Sequence, residues 1–120
     1  MQYNLKGTEV PLTRELRQYL EKCLAHPDKF LSGDPTVHAD VEVEYSPLRD
    51  GPQYRAEFTI EASGVVYRAE EWGTTLHEAL DLAAGQVTKK IRRSKRKHLH
   101  LFRRGALKVK EYLRGLRDRF

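Results

Sequence analysis

Apolar residues recur every second position in some stretches of the chain and every third or fourth in others, and the switches between these periods mark out the elements. Tyr3 and Leu5 alternate with polar neighbours between Met1 and Lys6, with Gly7 following, which predicts a short strand with a turn after it. Leu16, Tyr19, Leu20, Cys23 and Leu24 then recur at helical spacing, so they form one dry stripe while Arg14, Arg17, Glu21 and Lys22 point outward. Thr13 is placed to cap that helix, because its hydroxyl can accept from the first free amides. Pro27, which lacks an amide proton and crowds the preceding turn, should stop or bend it. Phe30 and Leu31 are expected to close the core beyond the break.

From Val37 the period returns to two. Val37, Ala39, Val41, Val43 and Tyr45 form one side of a strand and His38, Asp40, Glu42 and Glu44 the other. Residues 46–52, Ser-Pro-Leu-Arg-Asp-Gly-Pro, are a loop by turn chemistry. Tyr54, Ala56, Phe58, Ile60 and Ala62 alternate with polar residues, and a further run through Val65, Tyr67 and Ala69 follows Ser63-Gly64, so three successive strands make an antiparallel meander. Thr75 and Glu78 match a capping box. Beyond it Leu76, Leu80, Ala83, Ala84, Val87 and Ile91 carry a second buried stripe into a basic segment. The predicted class is α+β in the order β-α-β-β-β-α: a four-stranded sheet, both helices on one face, and a right-handed crossover through the first helix.

Composition narrows the function classes. At 120 residues there is room for one domain and one modest core. With 39% hydrophobic and 32% charged residues and a mean hydropathy of -0.69, the chain is of a soluble type. No run approaches the ~20 apolar residues of a membrane span, and Met1-Gln2-Tyr3-Asn4 does not open like a signal peptide, so a cytoplasmic location and no membrane partner are expected. A single cysteine, Cys23, excludes an internal disulfide and Cys-rich metal clusters.

Charge is bipolar. Residues 1–88 hold 8 Lys and Arg against 15 acidic residues, a balance of -7; residues 89–120 hold 14 against 2, a balance of +12. Within the second part, Lys89, Lys90, Arg92, Arg93, Lys95, Arg96 and Lys97 place seven cations in nine residues. A solvated helix end explains two or three of them, since cations near a C-terminus gain about 0.3–1 kcal/mol each from the macrodipole. Seven, with no acid among them, repel one another at three- and four-residue spacing, and phosphate binding is the reading that accounts for the excess. Residues 89, 92, 93 and 96 share one side of the helix, flanked by 90 and 97. Lys22 and Lys29, near the end of the first helix, extend the expected RNA-binding set. The outward positions of the meander (His38, Asp40, Glu42, Glu44, Arg55, Glu57, Thr59, Glu61, Arg68 and Glu70) are net negative, so nucleic acid should approach from the helical side. Tyr67 and Trp72 are assigned to sealing the junction of sheet and second helix.

Other chemistry lacks its parts. Cys23 and His26, like His98 and His100, have metal-like spacing, but a closed zinc site needs four ligands and the remaining histidines are scattered. The periodicity buries Cys23, which removes it as a nucleophile. Carboxylates alternate along strands rather than gather around a pocket, so no enzyme, metal or cofactor is expected. Leu99, Phe102, Ala106, Val109, Leu113, Leu116 and Phe120 form a heptad seam in a basic context, interrupted by Gly105 and Gly115. Residues 99–120 are thus a basic amphipathic helical extension to a domain at 1–98. Such a helix can pack on the domain, zip with a second copy or order on RNA, and contact with a partner or second copy is favoured.

The opening strand Met1-Gln2-Tyr3-Asn4-Leu5-Lys6-Gly7, the helix around Leu12-Thr13-Arg14-Glu15-Leu16-Arg17-Gln18-Tyr19-Leu20-Glu21-Lys22, and Ala79-Leu80-Asp81-Leu82-Ala83-Ala84 leading into the basic run resemble the ribosome hibernation promoting factor family. That family includes protein Y and is also called the ribosomal subunit interface or sigma-54 modulation protein family. The likeness covers about residues 1 to 98. It implies a domain similar to double-stranded RNA-binding domains with an added strand, and a translation inhibitor that binds 16S rRNA of the small ribosomal subunit, in the channel for messenger and transfer RNA, through the basic second helix. Thr74-Thr75-Leu76-His77 departs from the acidic-then-aromatic helix entrance of many members. Residues 99–120 match neither the C-terminal dimerisation domain of long members, for which 120 residues leave no space, nor an acidic tail, so pairing of ribosomes and silencing of single ones both stay open. The competing reading is a basic interaction protein whose heptad helix binds a protein partner or an anionic membrane.

Overall fold

The computed structural model describes residues 1–31 and 33–97 with their side chains and residues 98–119 by backbone path alone. The elements are β1 (Gln2–Thr8), α1 (Arg14–Asp28), β2 (His38–Tyr45), β3 (Tyr54–Ala62), β4 (Val65–Gly73) and α2 (Leu76–Arg119). They form one sheet in the order β1-β2-β3-β4, with β1 parallel to β2 and the other two pairs antiparallel. The α+β, β-α-β-β-β-α expectation is therefore met. Because β1 and β2 are parallel, the chain must cross between them, and α1 is that crossover.

The period-two strands put Ala39, Val41, Val43, Ala56, Phe58, Ile60, Ala62, Tyr67 and Ala69 on one face, where they are buried. Leu16, Leu20, Cys23 and Leu24 of α1 and Ala79, Leu80, Ala83, Ala84, Val87 and Ile91 of α2 cover them. Among the described residues no polar or charged side chain is buried, and no buried side-chain polar atom lacks a partner. Among the described residues the other sheet face carries no second layer.

Both helix starts use the expected chemistry. The Leu16 amide donates to Thr13 Oγ1 at 3.2 Å, and the Glu78 amide to Thr75 Oγ1 at 3.1 Å. The return half of the second box is shifted by one residue, since the Glu78 carboxylate accepts from the Thr74 amide at 3.1 Å and the Thr74 hydroxyl at 3.2 Å. Pro27 is buried in the last turn of α1, which ends one residue later.

One local expectation is refined and two need correction. The strand runs one residue past Gly7, to Thr8, and the turn after it falls at Glu9, which has φ of 58°. Gly7 stays in the strand, where a Cβ would lie 2.8 Å from Leu12 Cδ2 and 2.9 Å from the Val10 carbonyl, so it serves close packing. Of the pair meant to close the core, Leu31 is 2% exposed but Phe30 is 40% exposed, because the turn after α1 has room for one of two adjacent side chains on the dry side. Trp72 lies on the uncovered sheet face opposite Arg55, with the Arg49 guanidinium 3.7 Å above its ring. Alternation along β4 dictates this, since Tyr67 and Ala69 face the helices. Tyr67 does seal the junction, its hydroxyl 3.1 Å from Ser94 Oγ of α2.

Where α2 begins is fixed by contact. A Cβ on Gly73 would sit 2.6 Å from the Ala79 amide nitrogen and 3.0 Å from the Thr75 carbonyl, so only glycine lets the first turn of α2 fold back against the end of β4. Gly73→Ala should destabilise the protein by about 1–3 kcal/mol, read as a lower urea midpoint at unchanged slope.

Beside this junction Tyr19 donates to Asp81 Oδ1 at 2.6 Å, and Cys23 Sγ lies 3.8 Å from the same oxygen. The hydrogen bond to Asp81 pushes the Tyr19 phenol up to about 12, and burial, with help from Asp81, pushes the Cys23 thiol up to about 11. Both groups hold their protons more tightly when folded, so the stability they contribute is complete below the ordinary thiol value and is lost as pH rises through the folded values. The melting temperature should fall between about pH 9 and pH 12, and Asp81→Asn should flatten that fall.

Candidate nucleic-acid interface

The basic run occupies the part of α2 whose other side is pinned to the sheet by Val87 and Ile91, both wholly buried. With 100° per residue, the positions opposite Ile91 must face away from the core. Lys89, Lys90, Arg92, Arg93, Lys95, Arg96 and Lys97 are all exposed. They are not equivalent. Lys89, Arg92, Arg93 and Arg96 form the outer ridge, whereas Lys90 is turned toward the sheet and its ammonium donates to the Arg68 carbonyl of β4. Lys95 stands on the side of α2 near the 33–36 loop, where its charge helps hold Asp34 below the usual carboxylate range; hydrogen bonds from Ser63 and Thr36 are the larger causes.

Beside the ridge runs a groove of about 500 Å³ between α1 and α2, lined by Tyr19, Lys22, Cys23 and His26 from one helix and by Asp81, Ala84, Gly85, Thr88, Lys89 and Arg92 from the other. Ala84 and Gly85 lie on its floor, where small residues let the helices open a channel. Lys22 and His26, one turn apart on α1, face Lys89 and Arg92 across it. Cationic groups on both walls suit an anionic strand lying along the groove with its phosphates between them. Asp81 marks the end of the groove nearest the start of α2 and is occupied by Tyr19.

Of the nine residues expected to bind RNA, Lys22, Lys89 and Arg92 are brought together at the groove, and Arg93, Arg96 and Lys97 continue the exposed face. Lys29 is exposed just beyond α1, outside the groove lining. His26, Thr88 and Gly85 line the groove without having been singled out for it. The available signal was spacing: Lys22 and His26 are four apart, as are Gly85 and Lys89. His98, His100 and the heptad positions from Leu99 to Phe120 lie outside the residues whose side chains are described.

The uncovered sheet face has the opposite character. Arg55 is its centre, with only 12% of its side chain exposed, 2.8 Å from Glu44, 3.1 Å from Glu42, 3.5 Å from Glu57 and 3.8 Å from Glu70. Burial works against the guanidinium charge, but the bond to Glu44 and the charges of Glu42, Glu44 and Glu70 outweigh it and raise its pKa. One arginine cannot neutralise four carboxylates, so the face stays negative and repels a phosphate backbone. Among the described residues no group of His, Cys, Asp and Glu is disposed to hold a metal, and no helix is long and apolar enough to cross a membrane.

Comparison with known proteins agrees with this architecture. The chain is 28% identical over 103 residues to the ribosome hibernation promotion factor of Bacillus subtilis, a match covering 86% of this chain and 53% of that protein. It is 26% identical over 101 residues to the factor of the same name from Picosynechococcus, covering 82% of this chain and 51% of that one. The chain thus spans about half the length of these curated relatives. Among solved structures, the N-terminal domain of Thermus thermophilus protein Y superposes with a TM-score of 0.66 at 26% identity, covering 78% of this chain and 98% of that domain. A ribosomal subunit interface protein from Coxiella burnetii, at 15% identity and a TM-score of 0.63, shares the fold. The family profile described as Sigma 54 modulation protein / S30EA ribosomal protein matches residues 3–99, which take in the helix-sheet body and the whole basic ridge. The chain belongs to that family.

Proposed function

We propose that the protein is a ribosome-bound hibernation factor that occupies RNA with the helical side of its domain. The observation that carries this reading is the groove between α1 and α2, with Lys22 and His26 on one wall and Lys89 and Arg92 on the other, continued by Arg93, Arg96 and Lys97. The target is 16S rRNA of the small subunit, in the channel that messenger and transfer RNA would otherwise fill. Inhibition is by occlusion: a rigid body with a cationic edge competes for a space already shaped to hold RNA, and no bond is made or broken. Lys90, Lys95 and Lys29 belong to the outer footprint, reaching phosphates that flank the groove. The relatives named as hibernation promotion factors and the likeness to protein Y support this assignment. Self-association through residues 99–120 would add pairing of ribosomes to the silencing of single ones.

Co-sedimentation with purified small subunits across a salt series tests the proposal. If six or more phosphates are neutralised, affinity should fall about a thousandfold or more between 50 and 200 mM salt. Charge reversal at Arg92, Arg93 and Arg96 together should abolish pelleting while circular dichroism stays unchanged; undiminished pelleting would refute the assignment. Lys22→Ala should weaken binding and lower the salt slope by about one, as loss of a single phosphate contact requires.

A further inference from the structure

The ridge and the uncovered sheet face are on opposite sides of the same domain. Helices cover one face of the sheet, and the ridge points away from it, so a positive edge and a negative face look in opposite directions. Residues 1–97 carry 15 Lys and Arg and 15 Asp and Glu, hence no net charge. Copies of this body carry no net like charge against one another, and the ridge of one is attracted to the sheet face of another.

The spacing of the two surfaces also agrees. On β2, Asp40, Glu42 and Glu44 project from the uncovered face at every second residue, about 6.8 Å apart. Lys89, Arg93 and Lys97 follow one another along α2 at four-residue steps, about 6 Å apart. Asp40, Glu61 and Glu70 are all exposed; Asp40 is met by His38 at 3.2 Å and Asn4 at 3.3 Å, and Glu70 is the most distant of the Arg55 partners at 3.8 Å. The face therefore keeps acidic side chains beyond those closest to Arg55. No apolar patch is needed, and α2 cannot fold onto its own uncovered face because Val87 and Ile91 hold it on the other side.

We propose that the uncovered face of β2–β4 docks the basic ridge, residues 89–97, of a second copy of this chain. The contact is head to tail: it joins two different surfaces, leaves one of each free on every pair and so extends into short chains. It needs no RNA. It also occupies the cations assigned to ribosomal phosphates on every copy but the terminal one, so free RNA should dissolve the assembly and the docked copies are held in a form that cannot bind RNA.

The test is sedimentation velocity on nuclease-treated full chain at micromolar to submillimolar concentration. Two neutralised variants are used: a face variant, Asp40→Asn with Glu61→Gln and Glu70→Gln, which spares the closest Arg55 contacts, and a ridge variant, Arg92→Gln with Arg93→Gln and Arg96→Gln. The unaltered chain should show pairs and longer species at 50 mM salt, with association at least tenfold weaker at 300 mM. Each variant alone should lose these species, and mixing the two should restore pairs that stop at one-to-one, since each supplies the surface the other lacks. The face variant should still pellet with small subunits, which separates failure of this contact from failure of the RNA reading. A strict monomer at 50 mM salt overturns the proposal. So does association that survives both variants, which would assign it to residues 99–120. Binding of oligolysine to the face of a chain that stays monomeric also overturns it, in favour of a basic protein partner.

Discussion

The structure depends on one docking contact: the stripe Leu80, Ala83, Ala84, Val87 and Ile91 of α2 held against the buried face of β3 and β4. Once that stripe is dry, helix geometry leaves Lys89, Arg92, Arg93 and Arg96 of the same segment on the outer side and Lys90 and Lys95 on its flanks. Seven cations crowded on a free helix would repel one another and gain little. On a helix whose other face is buried, the cost of holding them together is met by packing, and the charge becomes a fixed feature of the surface. Gly73 and the Thr75 cap set where that helix begins, so the first turn is placed by contact rather than by propensity alone.

Alpha-helix 1 has a subtler role. Its stripe covers the β1 side of the sheet, and its exposed edge supplies Lys22 and His26 to the groove. A ridge on one helix can grip a backbone from one side only. Two helices with a channel between them can hold it from both, and the small side of Ala84 and Gly85 leaves the channel open. Sorting of charge between the two sides of the domain then follows from the strand alternation: the face that is not packed is filled with carboxylates around Arg55, and the cations gather on the helical side.

Much of this was legible in the residues. Alternation and helical spacing named every element, Thr13 and Thr75 marked both helix starts, and the density of Lys and Arg between 89 and 97 marked the ridge. Contacts between elements distant in the chain were not legible. Nothing local to Lys90 indicates that its ammonium reaches the Arg68 carbonyl, or that Lys95 stands near Asp34. The groove has the same origin: His26 reads as a lone histidine until α1 and α2 are placed side by side. Trp72 was misassigned because size favours burial, while its parity on β4 puts it on the outer face under Arg49. Phe30 and Leu31 could not be told apart because a turn has no period to say which of two neighbours faces inward.

The central claim is that the helical side, and not the sheet, meets RNA. Ultraviolet crosslinking of the bound protein to small ribosomal subunits, followed by mass spectrometry of the crosslinked peptides, reads this contact directly. Crosslinks should concentrate in the peptides holding residues 22–26 and 89–97, with none from the outer positions of β2 to β4. Crosslinks confined to the sheet face, with 89–97 left unmodified, would contradict it.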